Sequence, residues 1–174
     1  CVDEIIRVAG AAPAAETVCA TVWGPVLPAD PDAPPRALKW LAHETVAVNM
    51  ELRGMETAAD VDEAAAVANR AGLPPQNVVL ADRGGRIGWT IAGRIPLRSG
   101  YDPSRPASWA APDTGWTGWL AAADYPRVID PAAARVWTAN ARVADGEDLD
   151  RLGDGGYALG ARASRIRERL LAGG

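Results

Sequence analysis

The fold of this chain is decided by residues 77–91, which predict two strands joined by a tight turn. They read Asn77-Val78-Val79-Leu80-Ala81, then Asp82-Arg83-Gly84-Gly85, then Arg86-Ile87-Gly88-Trp89-Thr90-Ile91. Two apolar runs rich in β-branched residues around a turn of Asp and Gly are typical of a β-hairpin. Because both runs are apolar, we expect these strands to lie in a buried sheet.

The elements before this hairpin are predicted from their periodicity and end signals. Residues 4–8 and 17–23 alternate polar and apolar side chains, which predicts an antiparallel pair. That pairing brings Cys19 nearer Ile6 than Cys1, so we predict two free thiols. Residues 37–42 are interpreted as a third strand. Thr57 is the predicted cap of a helix that runs to about Arg70, with Gly72 beyond its end.

After the hairpin, the chain enters a stretch rich in Pro and Trp. Residues 96–131 show little periodicity and are predicted to be a long ordered excursion, held by Trp109, Trp116 and Trp119. Residues 136–140 predict one more short strand, and a final helix begins at Tyr157 or Gly160 and continues through Leu171. The fold class is therefore α+β, with antiparallel sheets and packed helices, in a single segment covering residues 1–174.

Composition excludes several classes of protein. The 174 residues are 48% hydrophobic and 23% charged, which is ordinary for a globular chain. The net charge is -4 and the arginines are scattered, so no nucleic-acid partner is expected. No apolar run approaches the roughly 20 residues that cross a bilayer, so no membrane partner is expected either. Two cysteines are too few for a cysteine-rich zinc site, and no metal site is predicted.

A set of short motifs follows one another in a specific order along the chain. The motifs are Pro75-Gln76-Asn77, Ala81-Asp82 with Gly84-Gly85, Gly93-Arg94-Ile95-Pro96, Thr138-Ala139-Asn140, and Arg162 ahead of the last helix. In this order they resemble the middle part of the catalytic β subunit of penicillin acylases, which are also called penicillin amidases. The resemblance implies part of the αββα sandwich of the amino-terminal-nucleophile hydrolases. It also implies hydrolysis of a linear amide.

The resemblance assigns roles to two residues. Asn140 falls where the family places an asparagine whose side-chain amide donates to the oxyanion of the reaction. Arg162 falls where the family places an arginine that orients this asparagine and the amine of the nucleophile. A guanidinium does not lose its proton near neutral pH, so orienting acceptors is the role open to it.

The nucleophile of that family is a serine at the start of the catalytic subunit, exposed when a precursor cuts itself. Its own amine, with an unperturbed pKa near 8, acts as the base. The stretch Cys1-Val2-Asp3-Glu4 does not match this start. We therefore expect the segment to lack the nucleophile, to be inactive alone, and to work with the α chain and the Ser-led start of the β chain.

The resemblance also implies the substrate, the cofactors and the location. The substrate is a small-molecule amide, carrying either a β-lactam side chain or the acyl chain of an N-acyl-homoserine lactone. No cofactor is expected, because the calcium bound by some members relies mainly on carboxylates outside this segment. A periplasmic or secreted location is implied, and a cytoplasmic one stays open.

Two alternatives stand beside this hypothesis. Cys1 would be an amino-terminal nucleophile, since a thiol is more nucleophilic than a hydroxyl. The other alternative is a non-catalytic fragment or binding module of the same fold. A piece of an amidase should expose apolar surface where other segments pack, and should bring Asn140 close to Arg162. An independent binding module should do neither.

Overall fold

The computed structural model describes residues 1–28, 30–153 and 156–173. The chain forms two compact units, Cys1–Glu44 and Thr45–Gly174. The first unit contains two antiparallel strand pairs and a short 3-10 helix at Leu41–His43. Strand β1 (Val2–Ile6) pairs with β2 (Ala14–Val18), and β3 (Ala20–Thr21) pairs with β4 (Gly24–Pro25). The prediction of a single segment over residues 1–174 is not tested by this division and stays a prediction.

Cys1 and Cys19 form a disulfide, so the prediction of two free thiols is wrong. The error lies in the strand register. Val2 pairs with Val18, and this alignment places Cys1 directly opposite Cys19. The predicted strands began two residues later in β1 and three residues later in β2. Because register depends on the connecting loop, a small slip in the assigned strands moves every cross-strand neighbour.

The predicted third strand at residues 37–42 is also wrong. Ala37 makes only an isolated antiparallel bridge with Val26, and the 3-10 helix begins four residues later at Leu41. Val26 is flanked by Pro25 and has Pro28 two residues beyond it, and proline has no N–H to extend a ladder. The pairing therefore stops after one bridge.

The β1–β2 hairpin exposes apolar side chains on both faces. Val2 is 62% exposed, Ile5 64% and Ile6 52%, although all three lie within a regular strand. Val18, opposite Val2, is 47% exposed. A two-stranded hairpin without a packed face is marginally stable in water. The hairpin therefore carries exposed apolar surface within the first unit.

The second unit contains a three-stranded antiparallel sheet, a separate strand pair and three α-helices. The sheet has the order β5-β6-β9, and β7 pairs with β8. Short 3-10 helices lie at Thr45–Ala47, Glu51–Glu56 and Ala122–Asp124. The elements are α1 (Val61–Arg70), β5 (Gln76–Ala81), β6 (Ile87–Ala92), β7 (Pro96–Ser99), β8 (Gly115–Trp119), β9 (Arg127–Ile129), α2 (Gly146–Leu152) and α3 (Ala161–Ala172). The α+β prediction is confirmed. Within the described ranges every helix is too short or too polar to span a bilayer.

Helix α1 begins later than predicted, and its cap is Asp60 rather than Thr57. The Asp60 carboxylate accepts a hydrogen bond from the Glu63 amide at 2.9 Å, while Glu63 accepts from the Ala59 amide at 2.9 Å. An acidic cap satisfies the free amides of the first turn better than a threonine further upstream. The helix packs against β6. Its buried Asn69 donates to Thr90 at 3.0 Å and to the Ile91 carbonyl at 2.8 Å.

The predicted hairpin of residues 77–91 is confirmed as β5 and β6. Gln76 pairs with Ala92 and Ala81 with Ile87, in an unbroken register. Asp82 closes the turn by accepting from the Arg86 amide at 3.1 Å. On the buried side of β6, Trp89 and Ile91 pack in a core with the buried side chains of Ile95, Leu120 and Tyr125.

Arg86, next to the turn of the hairpin, forms ion pairs with residues near helix α1 and strand β9. Its guanidinium donates to Asp130 at 2.8 Å and to Asp62 at 2.6 Å. The hydrogen bond from Arg86 holds the pKa of Asp130 below its usual range. A carboxylate whose pKa is lower in the folded chain stabilises the fold at pH values above its pKa in the unfolded chain. This contribution to the free energy of unfolding is lost as the pH falls through the pKa of the folded chain. Both acids are well exposed, so screening by solvent keeps the effect small.

The region 96–131 holds more regular structure than predicted. Strands β7 and β8 pair across a connection of 15 residues, and β9 completes the sheet beside β6. The aromatic rings of Tyr101, Trp109, Trp116 and Trp119 form a chain with centroids 5.3 to 6.2 Å apart. These contacts fit the predicted role of the tryptophans as anchors of an irregular connection. The strands were missed because proline and glycine mask their periodicity.

Candidate functional site

Asn140 and Arg162, which the sequence places 22 positions apart, contact each other in the second unit. The Arg162 Nη2 donates a hydrogen bond to Asn140 Oδ1. Both side chains are exposed. The two residues that the sequence singled out therefore converge at one place on the surface.

The backbone explains why these distant residues meet. The Ala158 amide donates to the Asn140 carbonyl at 2.9 Å, and Ala141 forms a parallel bridge with Ala158. Helix α3 begins three residues after Ala158, which places Arg162 in the first turn beside Asn140. The predicted strand at residues 136–140 is wrong, since this stretch forms no ladder. Its last residue, Asn140, accepts the hydrogen bond from Ala158, and the isolated bridge follows at Ala141.

The contact fixes the orientation of the Asn140 amide. A guanidinium only donates hydrogen bonds, so the atom that faces it must be the amide oxygen. The amide nitrogen therefore points away from Arg162. Within residues 1–28, 30–153 and 156–173, no hydrogen bond is found from Asn140 Nδ2 to a protein atom. Asn140 thus presents two N–H donors to a ligand.

Arg162 stands where helix stability disfavours a cation. The amino-terminal end of a helix carries a partial positive charge, and acidic side chains are preferred there. The first turn of α3 has no acidic residue, and Gly160 provides no side-chain cap. Its position is therefore poorly explained by helix stability. The contact with Asn140 gives a better account of it.

The segment that leads into Asn140 is tied to the sheet by Asn77. The Asn77 Nδ2 donates to the Ala139 carbonyl at 3.2 Å, and Asn77 Oδ1 accepts from the indole Nε1 of Trp89 at 2.8 Å. Sequence analysis quoted Asn77 within the Pro75-Gln76-Asn77 motif but gave it no role. Nothing in the local pattern indicates a partner 62 positions away.

Arg98, on strand β7, contacts the carboxyl end of helix α2. Its guanidinium donates to the carbonyls of Arg151 at 2.9 Å and Leu152 at 3.4 Å, at the end of α2. Desolvation on burial lowers the pKa of Arg98, but the group stays protonated because an arginine begins so far above neutrality. Two of the free carbonyls at the end of α2 are satisfied in this way.

A pocket of about 250 Å³ lies behind the segment that carries Asn140. Ala139 and Ala141, on either side of Asn140, line this pocket, whereas Asn140 itself is not part of its wall. Most of the wall is apolar, and Trp89 and Trp137 contribute indole surface. The pocket therefore adjoins the candidate site, but the side chain of Asn140 is not part of its wall.

Cys1 does not offer a free thiol, because its sulfur is bonded to Cys19. A nucleophilic thiolate requires an unbonded sulfur. The described part of the chain also holds no cluster of three or more His, Cys, Asp or Glu side chains that fits a metal ion. The expectations about metal and cofactor stay predictions.

Comparison with known proteins identifies the family of this chain. The penicillin amidase family model matches residues 1–174. The penicillin acylase 2 proenzyme of Pseudomonas sp. (strain SE83) is 36% identical over 101 residues, which are 58% of this chain and 13% of the proenzyme. The structure of a thermostable penicillin G acylase from Alcaligenes faecalis superposes with a TM-score of 0.63 at 20% identity, over 96% of this chain and 31% of that chain. The chain thus spans less than a third of each relative.

Proposed function

The chain belongs to the penicillin amidase family, and from this we propose that it works as one part of a larger amidohydrolase that cleaves linear amides. In this proposal Asn140 donates to the oxyanion and Arg162 orients Asn140. The observation that carries the proposal is the contact of Arg162 Nη2 with Asn140 Oδ1, which leaves the amide N–H donors free. The small share of each relative that the chain covers supports the need for further segments.

The chemistry follows from what each group can do. A serine hydroxyl from another segment loses its proton to its own amine and attacks the amide carbonyl. Negative charge then develops on the carbonyl oxygen, and Asn140 Nδ2 donates to it. The C–N bond breaks as the leaving amine takes the proton from the ammonium group. Water then hydrolyses the acyl-serine and regenerates the hydroxyl.

Arg162 contributes by holding the donor in place before the reaction. Donors that are already aimed at the oxyanion need no reorganisation when charge develops, which is why preorganisation lowers the barrier. A free asparagine side chain on the surface would rotate among several rotamers. The guanidinium limits this rotation and directs the Nδ2 end outward.

The substrate, partners and location belong to the same proposal. The substrate is a linear amide with an acyl chain, of the β-lactam side-chain or N-acyl-homoserine lactone type. The partners are the α chain and the Ser-led start of the β chain, produced by self-cleavage of a precursor. The exposed apolar side chains of the β1–β2 hairpin support such packing partners. The disulfide fits a periplasmic or secreted location.

The decisive experiment compares this chain with the complete protein. We expect the complete protein, with its Ser-led segment, to release free amine from a chromogenic N-acyl anilide. The chain alone should give no turnover, because in this proposal the nucleophile belongs to another segment. The released amine is measured by absorbance. The complete protein with its nucleophilic serine replaced by alanine serves as the blank. Equal turnover by the chain alone would refute this arrangement. An inactive complete protein would favour the binding module.

Arg162→Lys is expected to lower kcat of the complete protein roughly 100-fold, since a displacement of about 1 Å at a catalytic group has effects of this size. Lysine keeps the charge but loses the planar fork that holds the amide oxygen. Steady-state kinetics check the result.

Arg165→Lys is the matched control for Arg162→Lys. Arg165 lies one turn further along α3 and pairs with Glu168 at 3.2 Å on the exposed surface. Its replacement should leave kcat unchanged. If Arg162→Lys also kept the wild-type kcat, the orienting role of Arg162 would be wrong.

A further inference from the structure

The side chain of Asn77 joins the buried sheet to the backbone just before Asn140. Its amide oxygen accepts from Trp89 Nε1 and its amide nitrogen donates to the Ala139 carbonyl. An indole N–H only donates and a carbonyl only accepts, so the two partners allow one orientation of the Asn77 amide. Both ends of the side chain are therefore engaged in a defined direction.

The sheet end of this link is rigid. Trp89 is 6% exposed and lies on β6, the central strand of the β5-β6-β9 sheet. Its ring packs in the core with Ile91 and Tyr125. On the β5–β6 ladder Asn77 pairs with Ile91 and Val79 with Trp89, so Asn77 and Trp89 are diagonal neighbours on one face. Asn77 is thus anchored to a side chain that is buried in the core.

The other end of the link is a segment without regular secondary structure. Residues 131–139 form no strand or helix, and the pairing of this stretch with Ala158 begins only at the Asn140 carbonyl. Asn77 holds the carbonyl on one side of the Asn140 Cα, and Ala158 holds the carbonyl on the other side. Without Asn77, the Ala139 carbonyl loses its hydrogen bond to the sheet, whereas the Asn140 carbonyl keeps its hydrogen bond from the Ala158 amide.

We infer that Asn77 is a positioning residue, which fixes the backbone at Asn140 and so determines where its amide donors lie. This inference rests on the proposed oxyanion role of Asn140. Asn77 does not touch the reacting atoms and acts only through Asn140. Three groups then fix the donor: Asn77 and Ala158 hold its backbone, and Arg162 holds its side chain.

The test is a double-mutant cycle in the complete protein. Asn77→Ala should lower kcat by about 10- to 100-fold and change KM little, because a shift of up to about 1 Å misplaces a donor that acts in the transition state. Adding Asn77→Ala to Asn140→Ala should lower kcat by less than about twofold further. When one residue acts only through another, the effects of the two substitutions do not add, so the second substitution has little further effect on kcat.

Gln76→Ala is the matched control. Gln76 is the exposed neighbour of Asn77 on β5, and no side-chain hydrogen bond of Gln76 is found within the described residues. This variant should keep the wild-type kcat. Asn77→Ala also leaves the buried Trp89 Nε1 without its acceptor, so its melting temperature should fall. The kcat of each variant is therefore measured below its melting temperature and per titrated active site, which separates misplacement of the donor from loss of folded protein.

The outcomes separate this inference from the function it rests on. If Asn140→Ala loses activity while Asn77→Ala keeps the wild-type kcat, the positioning role is wrong and the oxyanion role stands. If the two single losses multiply in the double variant, Asn77 acts independently of Asn140 and the inference is overturned. If Asn140→Ala itself keeps the wild-type kcat, the oxyanion role fails, and the positioning role fails with it.

Discussion

Asn140→Ala is expected to lower kcat of the complete amidase by about 100- to 1000-fold, the loss that follows removal of one oxyanion donor in a subtilisin. The amide N–H groups of Asn140 have no hydrogen-bond acceptor among the residues that the structure describes, and its oxygen is held by Arg162. Because the donor meets charge that exists only in the transition state, KM should change much less than kcat. Steady-state kinetics with a chromogenic amide measure both values.

Asn140→Asp separates the donor from the rest of the side chain. The carboxylate has nearly the same shape and still accepts a hydrogen bond from Arg162, but it has no N–H to offer at neutral pH. It also places a negative charge beside the developing oxyanion. We therefore expect a loss at least as large as that of Asn140→Ala. An aspartate variant with near wild-type kcat would show that Asn140 acts through its oxygen and that the oxyanion role is wrong.

Gly93→Ala is expected to cost more than about 3 kcal/mol of unfolding free energy, which is the range of severe single substitutions. Gly93 has a φ of +92°, and a Cβ at this position would lie 2.3 Å from the Leu73 carbonyl oxygen. The backbone cannot retreat, since the Gly93 amide donates to Ala68 at 3.0 Å and its carbonyl accepts from Tyr125 at 2.8 Å. Urea unfolding followed by circular dichroism measures the loss.

Gly85→Ala is the control that isolates the steric clash. Gly85 has a φ of +85°, close to that of Gly93, but nothing lies within 4 Å of a Cβ placed there. Gly85→Ala should lower the free energy of unfolding by about 1 to 2 kcal/mol, which is what a residue with a Cβ loses in a left-handed backbone conformation. The difference between the two variants then measures the close approach of Gly93 to Leu73. Equal losses would mean that backbone conformation alone explains the glycine in Gly93-Arg94-Ile95-Pro96.

The parts of the fold that could be predicted are those with local signals. The hairpin of residues 77–91 combines a turn of Asp and Gly with two apolar runs, and both signals act within a few residues. The final helix was expected to begin at Tyr157 or Gly160 and runs from Ala161 to Ala172. Helix α1 was predicted to end near Arg70, as it does, but its start was placed at the wrong cap.

The parts that could not be predicted depend on pairing between distant residues. The β1–β2 register sets the Cys1–Cys19 disulfide, but no single residue in either strand specifies that register. Strand β9 was missed because three residues beside two prolines carry almost no pattern until β6 is present to pair with them. Residues 136–140 show the opposite error, since their β-branched and aromatic side chains suit a strand but find no partner strand.

The pairing of Asn140 with Arg162 came from the order of motifs and not from local physics. Each residue alone has ordinary structural explanations, as a strand-end asparagine and a solvated arginine. Their contact depends on the bridge between Ala141 and Ala158, which lies outside any local signal. The same limit explains why Asn77 received no role, because its partners are 12 and 62 positions away.

The position of Arg162 on the exposed helix α3 bears on how the proposed site would form during assembly. None of the described residues in Ala161–Ala172 is buried. Among the described residues, its tertiary contacts include the Arg162–Asn140 hydrogen bond and the stacking of Arg167 over Trp137, 5.8 Å from the ring centroid. A helix of 12 residues is marginal in water without tertiary packing. Under the proposed function, segments that cover α3 would stabilise this helix, so assembly of the larger protein would also stabilise the contact between Arg162 and Asn140.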